Sequence, residues 1–330
     1  DFRDDFAQAE VFGLSETFRN TPQITTAAQA VMKGHHTSLS VSTQAQGRTD
    51  SGALVQFHKA PTADAEAEFV THEIEKLVGG TALFSLDSER VDGAAENMAC
   101  GFRDIAVLVR TRAFVAPLCK ALRRLGLPVQ ATGTERPGER ADVRRLIRKF
   151  EDTLPASELD RPARQVLTES ASAIHQTDQD AYDICLRFAW HDHSSMRELF
   201  DKILTGKEGD ELDDRAECVN VMTLHAAKGL EFPVVFMPAC EDGIIPYRHA
   251  TDDEQTAKHE EEERRLFYVG GTRVWNMLYV SYACKRTLFG SIRENQPSPF
   301  LQDIPAEQCE TRTMPQKKPR PTSWQPEFNF

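Results

Sequence analysis

The stretch Val219–Phe236, VNVMTLHAAKGLEFPVVF, restricts the possible folds more than any other part of this chain. A short apolar run (Val219, Val221, Met222) ends at Thr223-Leu224-His225. Small residues and Lys228-Gly229 follow, then Leu230-Glu231-Phe232-Pro233 and a second apolar run, Val234 to Met237. Two β-branched runs this close, joined by a polar loop with a glycine, predict buried strands with a functional loop between them. The same grammar recurs upstream. Leu54 to Phe57 and Ile105 to Val109 read as strands. Ala63 to Val78 reads as a helix with Ala67, Val70, Ile74, Leu77 and Val78 on one face, ended by Gly79-Gly80, and Phe114 to Leu125 as a helix stopped by Gly126. Thr21 is placed to cap a helix that has Pro22 at its first position. Strand–helix alternation of this kind indicates an α/β fold with a parallel sheet.

Forty residues beyond the first segment lies EEERRLFYVGGTRVWNMLYVS, Glu261 to Ser281, and near the start LSETFRNTPQI, Leu14 to Ile24. The three segments resemble motifs V, VI and IV of the UvrD/Rep-type superfamily 1 DNA helicases, in family order. The resemblance implies a RecA-like, P-loop-NTPase-type parallel sheet with helices on both faces, interrupted by a short helical insertion. Its divisions are residues 1–150 for the first part of motor domain 2A, 151–218 for a shortened 2B-like insertion, and 219–304 for the second part of 2A. Residues 305–330, rich in Pro and polar residues, are expected as a disordered tail.

A nucleotide motor also needs a phosphate loop, G-x-x-x-x-G-K-[ST], whose backbone N–H groups and Lys hold the phosphates. The sequence contains none: Gly206-Lys207 is followed by Glu208 and lacks the earlier glycine. No acidic Mg²⁺ motif of the DExQ kind occurs, and the first residue is Asp1. The expectation is a piece that begins just after motif III of a longer protein, unable to hydrolyse ATP by itself. ATP with Mg²⁺ would be the cofactor of the intact protein, with the Mg²⁺ ligands and the N-terminal motor domain 1A/1B lying outside this chain.

Within that resemblance, particular residues acquire roles. Arg19, on the turn after Phe18, matches the family's arginine that reaches the γ-phosphate; a guanidinium is always charged and presents a planar fork to phosphate oxygens. Arg273 matches the second such arginine, although Val274 and Trp275 replace the usual Ala and Lys/Arg. Glu231 matches the carboxylate that accepts from the nucleotide ribose, and Gly229 would allow close backbone approach. Thr223 and His225 match contacts to the single-strand backbone, as does Arg110 in VLVRTRAF. Read without the resemblance, Arg19 is a surface arginine paired with a nearby acid and His225 a capped loop histidine.

The net charge of −12 argues against a uniformly basic nucleic-acid binder, but the charge is uneven. Residues 101–150 hold twelve Lys/Arg against four Asp/Glu, and residues 151–218 seven against seventeen. The basic block could track a phosphate backbone or be a solvated helix face. The run Glu260 to Glu263 reads as a solvated acidic helix start. Seven cysteines without a C-x-x-C pair suggest reduced thiols in the cytoplasm, and no metal site is expected, His191 and His193 included. No apolar run reaches membrane-spanning length and no signal peptide is visible.

The first functional expectation is therefore the C-terminal part of an ATP-dependent 3′–5′ DNA helicase or translocase acting on single-stranded DNA. The alternative is a non-catalytic DNA-binding or regulatory module derived from the same domain. A helicase–nuclease subunit would need a carboxylate-rich nuclease domain after residue 300, which the remaining residues cannot hold. The last six residues, Gln325 to Phe330, resemble the peptides with which bacterial proteins bind the sliding clamp; an aromatic-tipped disordered tail is the other reading.

Overall fold

The structure, a computed structural model, describes residues 6, 16–32, 44–45, 52–79, 100–131, 137–173, 178–190, 194–205, 212, 215–248, 253–288 and 290–312. Strands β1 (Glu16–Thr17) and β2 (Gln44–Ala45) form a short parallel pair. The main sheet contains β3 (Val55–Thr62), β4 (Ile105–Val109), β5 (Val129–Ala131), β6 (Val219–Thr223), β7 (Phe232–Met237), β8 (Val274–Leu288), β9 (Ser291–Glu294) and β10 (Cys309–Thr311). Its order is β10-β3-β8-β7-β4-β6-β5 with every neighbouring pair parallel, while β9 folds back antiparallel on β8. Purely parallel pairing demands cover on both faces. The central strand β4 shows it: Ile105, Val107 and Val109 enter one core, Ala106 and Leu108 the other.

Helices α1 (Pro22–Met32), α2 (Ala63–Leu77) and α3 (Val115–Arg124) lie in the chain before the insertion, and α9 (Asp253–Gly271) after it. Phe69, Val70 and Ile74 of α2 pack with Cys119 and Leu122 of α3 on the first face. Ile24, Ala27 and Val31 of α1 pack with Phe267 of α9 on the second. Each fully buried aliphatic side chain contributes about 1.5–3 kcal/mol relative to exposure. Thr21 precedes α1 as expected, its carbonyl accepting from the amide of Thr25 at 3.0 Å. Thr62 caps α2, its hydroxyl accepting from the amide of Ala65 at 3.2 Å.

Three expectations change. First, the strand expected at Leu54–Phe57 runs on to Thr62, through His58, Lys59 and Pro61. His58 stacks on Phe69 with ring centroids 3.6 Å apart and its Nδ1 lies 2.8 Å from the carbonyl of Arg312, so its polar atom is satisfied within a buried strand. Second, the expected disordered tail starts too early. Residues 309–311 form β10 and close the sheet edge beside Val55–Phe57, and the amide of Arg312 donates to the carbonyl of Phe57 at 2.7 Å. Residues 313–330, with the clamp-like Gln325–Phe330, lie outside the described residues, as do His191 and His193.

Third, the insertion begins before residue 151. Val143, Leu146, Ile147 and Phe150 of α4 (Ala141–Thr153) do not join the sheet. They share a separate core with α6 (Ala163–Ser170), α7 (Gln179–Trp190) and α8 (Met196–Thr205), while the single-turn α5 (Ala156–Leu159) links α4 to α6. Arg145 reaches Asp178 at 3.0 Å across this unit. At its entrance position 138 accepts only glycine, because a Cβ there would lie 2.7 Å from the Leu204 Cα.

A buried charge cluster joins helix to sheet on the first face. Arg286 of β8 donates to Glu241 from Nε (3.0 Å) and Nη2 (2.6 Å), and Nη2 also reaches Glu66 of α2. Glu66 accepts from the Ser281 hydroxyl at 2.8 Å and Glu241 from the amide of Ala283 at 2.9 Å. Burial pushes the Glu241 carboxyl above its usual range, against the pull of Arg286.

Candidate nucleotide and strand-binding clusters

Because β4, β6, β7 and β8 are parallel, residues preceding β7 and β8 share one edge of the sheet, and residues following β4 and β6 share the other. The expected site residues divide between these edges.

At the first edge, Glu231 precedes β7 and Arg273 precedes β8. The amide of Phe232 donates to the Arg273 carbonyl at 2.9 Å, and Phe232 stands opposite Val274 in register. The ladder slips between Phe232 and Val234, where Pro233 has no N–H to donate. Arg19 arrives from the segment before α1, and its Nε lies 2.7 Å from Glu231 Oε2. The Arg273 guanidinium bonds the carbonyl of Val269 from Nε at 2.9 Å and that of Leu230 from Nη1 at 3.4 Å. Burial, followed by the neighbouring Arg19 charge, lowers the Arg273 pKa from its ordinary value, offset in part by Glu231. It remains a cation at neutral pH. Phe18, Arg19, Glu231 and Trp275 line one open groove, in which Phe18 is 67% exposed. One guanidinium, a carboxylate and aromatic surface in one groove, with the partly buried Arg273 guanidinium close behind, suit a ligand bearing phosphates, hydroxyls and a planar ring.

At the opposite edge, Thr223 ends β6. Its hydroxyl accepts from the amide of Ala226 at 3.2 Å, and its carbonyl from that of Ala227 at 3.1 Å, so it shapes the turn that presents His225 to solvent. The amide of Leu224 donates to the carbonyl of Val109 at 2.8 Å, which brings Arg110 beside this turn. Partial desolvation, then the Arg110 charge, hold the His225 pKa below its ordinary value of 6.5. The ring is therefore neutral at pH 7, with one donor and one acceptor nitrogen. Arg110 is engaged by Glu263 through two bonds, Nε to Oε2 at 2.7 Å and Nη2 to Oε1 at 2.5 Å. Its guanidinium also lies 5.5 Å from the Tyr247 ring centroid, and Glu263 accepts from the Tyr247 amide at 2.9 Å.

The family of UvrD-like helicase C-terminal domains matches residues 12–152 and 190–285, well over half of the chain. This chain belongs to that family. The UvrD-like domain is 27% identical over 320 residues to the ATP-dependent DNA helicase UvrD2 of Mycobacterium tuberculosis, covering 92% of this chain and 43% of the relative. It thus spans less than half the length of the UvrD2 proteins it matches. Over 123 residues it is 44% identical to the ATP-dependent DNA helicase PcrA of Leuconostoc citreum, covering 36% of this chain and 16% of that one. A solved C-terminal domain of a possible DNA helicase from Lactobacillus plantarum overlays with a TM-score of 0.41 at 17% identity, covering 89% of this chain and 98% of that one. The strand order carries the fold assignment, not this overlay.

Within this UvrD-like domain, sequence reasoning missed two residues. Glu263 was expected on a solvated acidic helix start. It lies mid-helix in α9, 3% exposed and paired with Arg110. The signal was available: Glu263, Phe267 and Gly270 are spaced i, i+4, i+7, one face of a helix. Asn20 is 6% exposed, and its amide donates to the carbonyls of Thr272 at 3.1 Å and Val274 at 2.5 Å. Those carbonyls flank Arg273, and nothing local in the sequence joins positions so far apart. Gly229 has φ of +93° and open space where a Cβ would stand, so its backbone conformation by itself favours glycine. The basic block does not form one continuous track. Arg103 pairs with Glu217, and Arg145 and Lys149 pair with Asp178 on a groove that also holds Arg144 and Arg148. No group of three or more potential metal ligands and no membrane-spanning helix occurs among the described residues.

Proposed function

We propose that this chain is the second RecA-like motor domain of an ATP-dependent DNA helicase or translocase moving 3′ to 5′ on single-stranded DNA. The observation that supports the reading best is the convergence of Arg19, Arg273 and Glu231 at one sheet edge from three distant segments. Arg19 and Arg273 would stabilise charge developing on the γ-phosphoryl oxygens in the transition state. Glu231 would accept from the ribose hydroxyls, beside the Gly229 turn. The residues here fit the organic and phosphate parts of ATP. The Mg²⁺ ligands and the phosphate loop would come from the preceding motor domain, so the chain alone should turn over no ATP. At the other edge, Thr223 and the neutral His225 would contact the strand backbone, with Arg110 held beside them by Glu263.

The test uses the intact helicase. Arg19→Ala and Arg273→Ala should each lower kcat for DNA-stimulated ATP hydrolysis, by up to about 10³–10⁵-fold as for arginine fingers in related phosphoryl transfers. Single-strand affinity should change little. His225→Ala should weaken DNA binding first. Unchanged kcat in both arginine variants would sink the reading, and duplexes with a 3′ or a 5′ single-stranded tail test the polarity.

A further inference from the structure

We infer that Asn20 is a positioning residue that sets the Arg273 guanidinium relative to Arg19. The inference rests on the reading of Arg19 and Arg273 as phosphate ligands and deepens it.

Asn20 directly follows Arg19 and is buried. Its side-chain nitrogen meets two carbonyl oxygens, those of Thr272 and Val274. Only the NH₂ group of the side chain can satisfy two carbonyls, which fixes the amide's orientation. Asparagine before a helix commonly caps it, but here Thr21 precedes α1 and bonds its first turn, so Asn20 is not spent on the helix.

Arg273 between those carbonyls is held at every backbone group. Its N–H donates to Gly270 at 3.1 Å and its C=O accepts from Phe232 at 2.9 Å. The carbonyls of the residues on either side are held by Asn20. The segment carrying one cation therefore clamps the loop carrying the other across 252–254 positions of sequence. Two charges that must meet the same phosphoryl group need a fixed separation, because displacements on the order of 1 Å at a reacting centre reduce rates by about a hundredfold. The Arg19 side chain is half-exposed and rests on Glu231, so the rigid element at this edge is the Asn20 amide.

The experiment measures DNA-stimulated ATP hydrolysis by the intact helicase carrying Asn20→Ala, Asn20→Ser, Arg273→Ala, and Arg273→Ala with each Asn20 change. Asn20→Ala should lower kcat about ten- to a hundredfold, as for a misaligned catalytic group, with KM for ATP nearly unchanged. Asn20→Ser keeps one donor and should recover part of that loss. Asn20→Ala added to Arg273→Ala should lower kcat no further, because the residue it positions is already gone. A merely structural Asn20 gives the opposite pattern, in which its loss multiplies with that of Arg273. That result, or an unchanged kcat in Asn20→Ala, overturns the inference. If Asn20→Ala loses its cooperative unfolding transition, Asn20→Ser decides by the same criterion: its kcat deficit must vanish when Arg273 is already Ala. Full kcat in Arg273→Ala alone overturns this inference, whereas full kcat in both Arg19→Ala and Arg273→Ala removes the functional reading itself.

Discussion

Gly270 sits at the C-terminal end of α9, where the helix lies against the turn after β6. A Cβ at this position would stand 2.3 Å from Leu224 Cδ2, 3.3 Å from Met237 Cε and 3.4 Å from Met237 Sδ. Carbon atoms pack best at about 3.5–4.0 Å, so Gly270→Ala forces a shift of more than about 1 Å by Leu224 or by the helix. Leu224 is fully buried, with its amide tied to Val109, so it has little room to yield. Overpacking of this kind costs about 1–3 kcal/mol. Alanine favours a helix over glycine by about 1 kcal/mol, which offsets part of this cost. The net expectation is a destabilisation of up to about 2 kcal/mol, read as a lower urea midpoint at unchanged m-value. Leu224→Ala alone should cost about 2–5 kcal/mol as a cavity. The double variant should be more stable than the sum of the two losses by about 1 kcal/mol or more, because the new methyl occupies space that the leucine vacated. A stabilised Gly270→Ala, or strictly additive losses in the double variant, would refute the close-packing argument.

Further expectations follow from other positions. Arg286→Ala leaves the carboxylates of Glu66 and Glu241 without their shared cation and should cost about 3–5 kcal/mol in urea denaturation, whereas an exposed pair such as Lys285–Glu294 should give less than about 1 kcal/mol. Gly229→Ala should cost about 1–2 kcal/mol through its positive φ alone, and Gly229→Asn less, because asparagine tolerates that region. His72 has its pKa lowered from 6.5, first by burial and then by Lys76, and its Nε2 is buried without a partner. The folded state thus binds the proton less well than the unfolded chain. His72 contributes stability above pH 6.5 that is lost as pH falls through and below that value. The denaturation midpoint of the wild type should fall relative to that of His72→Gln on acidification below pH 6.5; parallel curves would disprove it.

Ile105–Val109 was legible to the residue because a parallel strand buried on both faces has no polar position to confuse the pattern. Val55–Thr62 was cut short for the opposite reason: its second half carries His58, Lys59 and Pro61, whose suitability for a strand depends on Phe69 and on residues 310–312. A stripe such as Val143-Leu146-Ile147-Phe150 reports a buried face but not which core receives it, so the insertion boundary was misplaced. Arg19, Glu231 and Arg273 were each singled out through local motifs; parallel register sets Glu231 beside Arg273, and Arg19 joins them from the segment before α1. Asn20 and Glu263 act through partners far along the chain or on another element, which short motifs do not describe.

The span from Leu224 to Leu230 connects the end of β6 to the start of β7, two strands that flank β4. It therefore travels the length of the sheet, roughly 17 Å for five residues of strand at about 3.3 Å each. Leu224, Ala226 and Ala227 are buried along the way, with their backbone bonded at Val109 and Thr223. A segment so short and so tightly seated behaves as a strut rather than a hinge. Pressure at Glu231 would arrive at His225 as translation, with no slack for the two ends to move separately. For the proposed motor, nucleotide and strand would then be felt by one solid body, and flexibility would belong to the joint with its neighbouring domain. Lengthening this span by inserted glycines should leave each end able to bind while ATP consumption and movement along DNA cease to keep step.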